Sequence, residues 1–278
     1  MRENDHDDFG GLQRDLLATG RAMPRRDALR FAAKLGVSAG ALQLLGCGGE
    51  TSSPTSPGTS TATTLAASGS CSRIPEETAG PFPGDGSNGP NVLSAAGVVR
   101  GDIRASFAGL SSPADGTLLT VELTIVSAST CAPLAGRAVY IWHCDRVGRY
   151  SLYDSALANQ NYLRGVQQAD ASGRVAFTTI FPGCYAGRWP HIHFEVFPSL
   201  ASATSAANRI ATSQIALPKE TCDAVYATSG YQTSVTNLSR VTLASDNVFS
   251  DGSALELATI TGDVGSGLRA ALSVAITG

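Results

Sequence analysis

From Leu118 to Val126 the chain reads Leu-Leu-Thr-Val-Glu-Leu-Thr-Ile-Val, with apolar and polar side chains alternating as in a half-buried strand. Arg137 to Trp142, Arg174 to Ile180, His191 to Phe197, Gln214 to Leu217, Leu255 to Thr261 and Leu268 to Ile276 share this strand composition. Turn signals separate them. Asp170-Ala171-Ser172-Gly173 joins two apolar runs, Asp251-Gly252-Ser253 precedes the last pair, and Thr261-Gly262-Asp263 sits between its members. No long segment of 3.6-residue period follows residue 50. The pattern predicts an all-β fold, an antiparallel β-sandwich with long loops, Tyr153 to Val166 among them, over one end.

The amino-terminal segment follows a different pattern. Residues 1 to 22 are polar, Arg25-Arg26 come next, and the apolar stretch Phe31 to Leu45 ends in Leu44-Leu45-Gly46-Cys47. That stretch is shorter than the roughly 20 residues a spanning helix needs and contains Lys34. The order is that of an export signal over residues 1–46. It resembles a twin-arginine signal joined to a bacterial lipobox, although Pro24 before the pair and Asp27 after it depart from the usual twin-arginine pattern and leave the Sec route open. Cys47 would then carry the lipid, the one contact with a membrane. Residues 47–70, rich in Ser, Thr, Pro and Gly, cannot bury a core and read as a flexible tether. The globular domain is expected over 71–278, exported and either lipid-anchored at the cell envelope or secreted.

Of the 278 residues, 20 Lys and Arg face 23 Asp and Glu, a net charge of −3 with no basic run, which argues against nucleic-acid binding. Setting Cys47 aside, five of the six cysteines remain, so at most two disulfides can form. Cys144, within an apolar strand, is expected to be the free thiol, leaving Cys71, Cys131, Cys184 and Cys222 to pair. There is no CxxC pair to support a thiolate zinc site.

Candidate chemistry gathers in about fifty residues. In His191-Ile192-His193 the period of two puts both imidazoles on one face of a strand, where they can converge on a metal or, equally, meet solvent. Just upstream, Phe181-Pro182-Gly183-Cys184-Tyr185-Ala186-Gly187-Arg188 makes a turn that brings Tyr185 and Arg188 near the histidines. Further upstream, Trp142-His143-Cys144-Asp145 leads through a tight turn to Tyr150-Ser151. Each tyrosine, taken alone, is also an ordinary packing residue.

Together, these segments resemble the intradiol ring-cleavage dioxygenases of the catechol and protocatechuate type, in particular their exported bacterial relatives. The likeness spans about residues 71 to 250. It includes Pro75-Glu76-Glu77-Thr78 before Gly80-Pro81-Phe82 and Leu163-Arg164-Gly165-Val166-Gln167. The resemblance implies a mononuclear Fe(III) held by Tyr150, Tyr185, His191 and His193 in a site formed by the long loops. Anionic phenolate oxygens are hard donors and suit ferric iron. It further implies that a catechol-type substrate displaces Tyr185, whose freed phenolate accepts a proton, and that Arg188 stabilises developing negative charge. Gln214 would lie near the substrate, and ring opening with O2 would give a cis,cis-muconate-type diacid without an organic cofactor. His143 matches a non-ligand position, and Arg164 and Gln167 match scaffold. Where relatives carry Thr-Glu-Gly-Pro this chain has Thr78-Ala79-Gly80-Pro81, so the mouth lacks that acidic residue. Two other classes stay open: a non-catalytic β-sandwich lipoprotein that binds small molecules, and a zinc hydrolase using His191 and His193 with a carboxylate such as Asp145. The pattern leaves the oligomeric state open.

Overall fold

The computed structural model describes residues 71–110 and 112–278, so the signal and tether assigned to 1–70, with Cys47, lie outside the described residues. Eight strands form two four-stranded sheets. β1 (Leu118–Ser127) shows the alternation that predicted it: Leu119, Val121, Leu123 and Ile125 are fully buried while Thr120, Glu122 and Thr124 between them are only partly covered. It runs antiparallel to β4 (Arg174–Ile180) and parallel to β8 (Gly267–Ile276), which pairs with β7 (Thr259–Asp263). The β-sandwich is as expected, and its one parallel pair among the described strands is β1–β8. These strands lie far apart in sequence, so no hairpin fixes their direction, and the connection between them passes through the other sheet.

The second sheet is antiparallel throughout, in the order β3 (Arg164–Gln168), β2 (Ala138–Trp142), β5 (His191–Phe197), β6 (Ala211–Ala216). β3 was expected to be loop. Arg-Gly-Val-Gln-Gln has little strand propensity, and tertiary pairing decides the matter: β2 lies on one side, and on the other Arg100 N donates to the Val166 carbonyl and Val166 N to that of Val98. Gly165 permits this close approach, since a Cβ there would lie 2.5 Å from Ile103 Cγ2. The turn expected at Thr261-Gly262-Asp263 falls three residues later, over 264–266 between β7 and β8.

All seven residues of β5 are buried. Ile192, Phe194 and Val196 enter the core between the sheets with Val139 and Ile141 of β2. The opposite face carries His191, His193 and Glu195, with Tyr140 and Trp142 beside them, and is covered by loops that supply Phe82, Val92, Leu93, Phe107 and Tyr150. A sheet roofed on both faces offers side chains a dry floor for chemistry.

Two short helices, α1 (Lys219–Tyr226) and α2 (Gln232–Leu238), interrupt the β pattern. Their work is local. Tyr226 and Tyr231 donate to the carbonyls of Pro182 and Phe181, Ser234 Oγ accepts from Cys184 N, and Asn237 donates to the Cys184 carbonyl. They thereby hold the Phe181–Arg188 loop. The cysteine expectation needs correction: Cys71 and Cys131 are joined, their Cα atoms 5.3 Å apart, but Cys184 and Cys222 are free like Cys144. Both sit in the core with thiols directed at backbone carbonyls, as small apolar residues do.

Candidate metal centre

Two turns meet to form the centre. After β2, Asp145 Oδ1 accepts from Val147 N and Arg149 N, and its Oδ2 takes both Arg149 nitrogens at 3.0 and 2.9 Å, which closes a tight turn before Tyr150. At the apex Gly148 has φ +90°, and a Cβ on it would lie 2.9 Å from Tyr185 Cβ. Glycine therefore lets the two tyrosine-bearing loops abut. Asp145 is fully occupied by this turn and lies apart from the histidines, so it does not supply the carboxylate a zinc hydrolase would need. Among the described residues no group of three or more His, Cys, Asp and Glu side chains is placed to hold a metal.

The residues that do converge are two phenols and two imidazoles. Tyr185 Oη lies 3.3 Å from His191 Nε2, which is 3.1 Å from His193 Nε2. Tyr150 meets Tyr185 and His193 edge-on, with ring centroids 5.9 and 6.3 Å apart. None of the four is more than 9% exposed. His191 Nδ1 donates to the Trp189 carbonyl at 2.5 Å, so in the neutral ring Nε2 is the bare nitrogen facing Tyr185. His193 is fixed by stacking on Trp142, centroids 4.9 Å apart and planes 3° from parallel. Burial, reinforced at His191 by the Arg188 charge and at His193 by His191, holds both imidazoles well below their ordinary pKa. Neutral imidazoles with lone pairs turned inward, beside phenol oxygens, make a hard nitrogen and oxygen donor set that fits a ferric ion.

Arg188 and Gln214 flank the centre. Gln214 lies directly opposite His193 in the β5–β6 ladder, and its Oε1 accepts from Arg188 Nη2 at 2.6 Å. Arg188 is fully buried, and its Nε donates to Asp246 Oδ2 at 3.0 Å. Asp246, unforeseen in the sequence, also accepts from the backbone nitrogens of Trp189, Val248 and Phe249. His143 bonds to the Cys144 carbonyl and Thr179 Oγ1, a bracing role within the fold. Gln167 donates to the Ala176 carbonyl on β4.

An open groove of about 1030 Å³ runs beside the centre, walled by Glu76 to Phe82, Ser87 to Pro90, Tyr153, Arg209 and Thr212. Its inner wall touches the centre: Phe82 lies 5.0 Å from the Tyr150 ring, and the Thr78 carbonyl accepts from Gln214 Nε2. Buried Arg164 anchors this wall by donating to the carbonyls of Phe82, Pro83 and Ser151 and to Ser151 Oγ. Ala79 leaves its position without an acid, as expected, yet Glu77 two residues earlier brings a carboxyl to the same wall. Burial, then Asp251, Asp246 and Glu76, push it up to about 7 against the lowering pull of Arg188. The motif containing Glu77 was visible, but its function was not.

A protein-family profile described as Dioxygenase matches residues 89–211. Among solved structures, the intradiol ring-cleavage dioxygenase from Tetranychus urticae is 26% identical, with 74% of this chain and 95% of that chain covered and a TM-score of 0.58. Another dioxygenase crystal structure is 27% identical over 74% and 95% of the two chains, with a TM-score of 0.59. Among curated proteins, none matches.

Proposed function

We propose that this chain is a non-haem Fe(III) intradiol dioxygenase that opens catechol-type aromatic rings with O2 to cis,cis-muconate-type diacids. The observation that carries the reading is the convergence of Tyr185 Oη, His191 Nε2 and His193 Nε2 within 3.1 to 3.3 Å contacts, next to the Tyr150 ring. The dioxygenase profile over 89–211 and the fold shared with the mite intradiol enzyme support it. Tyr150, Tyr185, His191 and His193 would hold the iron, which when bound supplies Lewis acidity toward the catechol oxygens.

The chain's own groups do the rest. Tyr185 Oη takes a proton from a catechol hydroxyl. Arg188, held rigid by Asp246 and Gln214 in a site without bulk water, places a fixed positive charge where the ring becomes electron-rich, and such preorganised charge is worth about 3–4 kcal/mol in comparable sites. Phe82 over Tyr150 and Trp142 against His193 exclude water and fix the donors. Both oxygen atoms of O2 enter the diacid, so no reductant is consumed. Export, with a lipid on Cys47, belongs to the same reading, and the Cys71–Cys131 disulfide supports it because such bonds persist in oxidising compartments.

The test is a visible spectrum and iron analysis of the purified chain, followed by catechol under air. A coloured protein with one iron per chain, whose spectrum changes on adding catechol and which then yields a ring-opened diacid, is expected. A colourless protein that stays inert after iron loading refutes the reading.

A further inference from the structure

The groove is far larger than one aromatic ring requires. At about 1030 Å³ it reaches the upper end of the roughly 300–1,000 Å³ range of pockets that accept drug-sized ligands. The groove adjoins the centre through Phe82, 5.0 Å from the Tyr150 ring, and through Thr78, whose carbonyl accepts from Gln214, so the ring substituent of a catechol at the centre would meet the wall that carries Glu77 and Phe82. Phe82 and Tyr153 stack at 5.2 Å and offer an aromatic flank, while the charged groups decide what such a substituent can carry.

Those charges are uneven along the groove. At the inner end, next to the centre, Glu77 lies among Asp251, Asp246, Glu76 and the buried Glu256, with Arg188 as the neighbouring cation. Arg188 is itself committed to Asp246 and Gln214, and Glu76 to Arg73 and Thr212 N. Among the described residues the Glu77 carboxyl has no salt bridge; Arg188 acts on it only at a distance, and its acidic neighbours and half-burial make it costly to ionise until a positive group arrives. Arg209 stands at the groove's other wall, its Nη1 on the Ala206 carbonyl and its Nε 3.8 Å from Glu195.

We infer that Glu77 is a specificity-determining residue that selects catechols whose side chain ends in a cation, such as an alkylammonium, and turns away those ending in a carboxylate. The inference rests on the dioxygenase reading of the neighbouring centre and adds the substrate class. An ammonium beside Glu77 forms a charge-assisted hydrogen bond in a partly desolvated position. A carboxylate placed there meets a cluster of like charge and leaves its own charge unpaired. The raised Glu77 pKa is consistent with this arrangement, since the carboxyl gives up its proton when the cation docks.

The experiment compares kcat/KM for three catechols matched in shape, 4-ethylcatechol, 4-(2-aminoethyl)catechol and 4-(2-carboxyethyl)catechol, on wild type and on Glu77→Gln at pH 7.5. The wild-type ratio of aminoethyl to carboxyethyl substrate is expected to be tenfold or more, and to fall at least fivefold in Glu77→Gln. Because each ratio is taken on one preparation, partial loss of folded enzyme cancels. Glu77→Asp should restore part of the preference. A wild-type ratio near or below one, or an unchanged ratio in Glu77→Gln, overturns the inference, and a preference for the carboxylate would hand the sorting role to Arg209. Absence of turnover with all three, including neutral 4-ethylcatechol, would instead count against the dioxygenase reading, so the two failures are distinguishable.

Discussion

The Arg188–Asp246 pair is fully buried on both sides, and its two members are not equally replaceable. Asp246 receives four donors: Arg188 Nε at 3.0 Å and the backbone nitrogens of Trp189 at 2.7 Å, Val248 at 2.8 Å and Phe249 at 3.1 Å. Replacing it with alanine takes the carboxylate away from a buried guanidinium and leaves three backbone N–H groups without that acceptor. Breaking a buried pair in this way costs about 3–5 kcal/mol, and at roughly 2–4 °C per kcal/mol for a domain of this size the melting temperature should drop by roughly 6–20 °C. Arg188→Met leaves Asp246 with its three backbone donors but also takes the Arg188 donor from Gln214, so the cost should be smaller than that of Asp246→Ala, with hydrogen bonds to charged groups worth about 1.5–3 kcal/mol each partly offset by an apolar stem that still packs near Phe249. Both variants should lose turnover, because each removes or releases the fixed cation beside the centre. Urea unfolding followed by tryptophan fluorescence, with thermal melts, measures the order. Equal costs, or a larger cost for Arg188→Met, would refute the donor-count reasoning.

Gly148→Ala forces a side chain onto a residue at φ +90° and against Tyr185 Cβ, so a loss of about 2–4 kcal/mol from strain and overpacking is expected in urea titrations, with weakened iron retention as the two tyrosine loops part. Replacing Cys71 and Cys131 together by serine frees a loop spanning 60 residues and should cost about 4 kcal/mol, seen as a lower urea midpoint equal to that of the reduced wild type. Between about pH 7 and 8, above the range in which the histidines of the unfolded chain titrate, stability should fall as pH rises. Burial raises Glu77 to about 7 and Glu256 to about 8, so the folded chain holds protons that the unfolded chain releases near 4.5, and that advantage is lost as pH passes the folded values. Urea midpoints across this range check the slope, and Glu256→Gln should flatten it; a midpoint that climbs with pH contradicts the assignment.

Strand content and the pairing of His191 with His193 on one face were readable in the chain because each depends on local period. Leu119 to Ile125 alternate because one face of β1 packs inward, and His191 and His193 share a face because strand geometry requires it. What escaped depends on long-range partners. β3 exists because Val98–Arg100 and β2 pair with a weak strand, and Asp246 matters because Arg188, 58 residues earlier, folds onto it. Glu77 looked like one acid among several until Thr78 was seen bound to Gln214. The thiols of Cys184 and Cys222 had pairing potential in sequence, but the core offered each a backbone carbonyl instead. No spacing rule carries such information.

Arg164 joins the groove wall at Phe82 and Pro83 to Ser151, the residue after Tyr150, through a single guanidinium. The far side of the groove, Ser87 to Pro90, begins only after that anchorage. That far side is tied back to the same turn by Tyr153, whose Oη donates to the Asn88 carbonyl. One guanidinium is thus a shared fastening: a change at Arg164 would move the groove wall and the Tyr150 turn together rather than either alone.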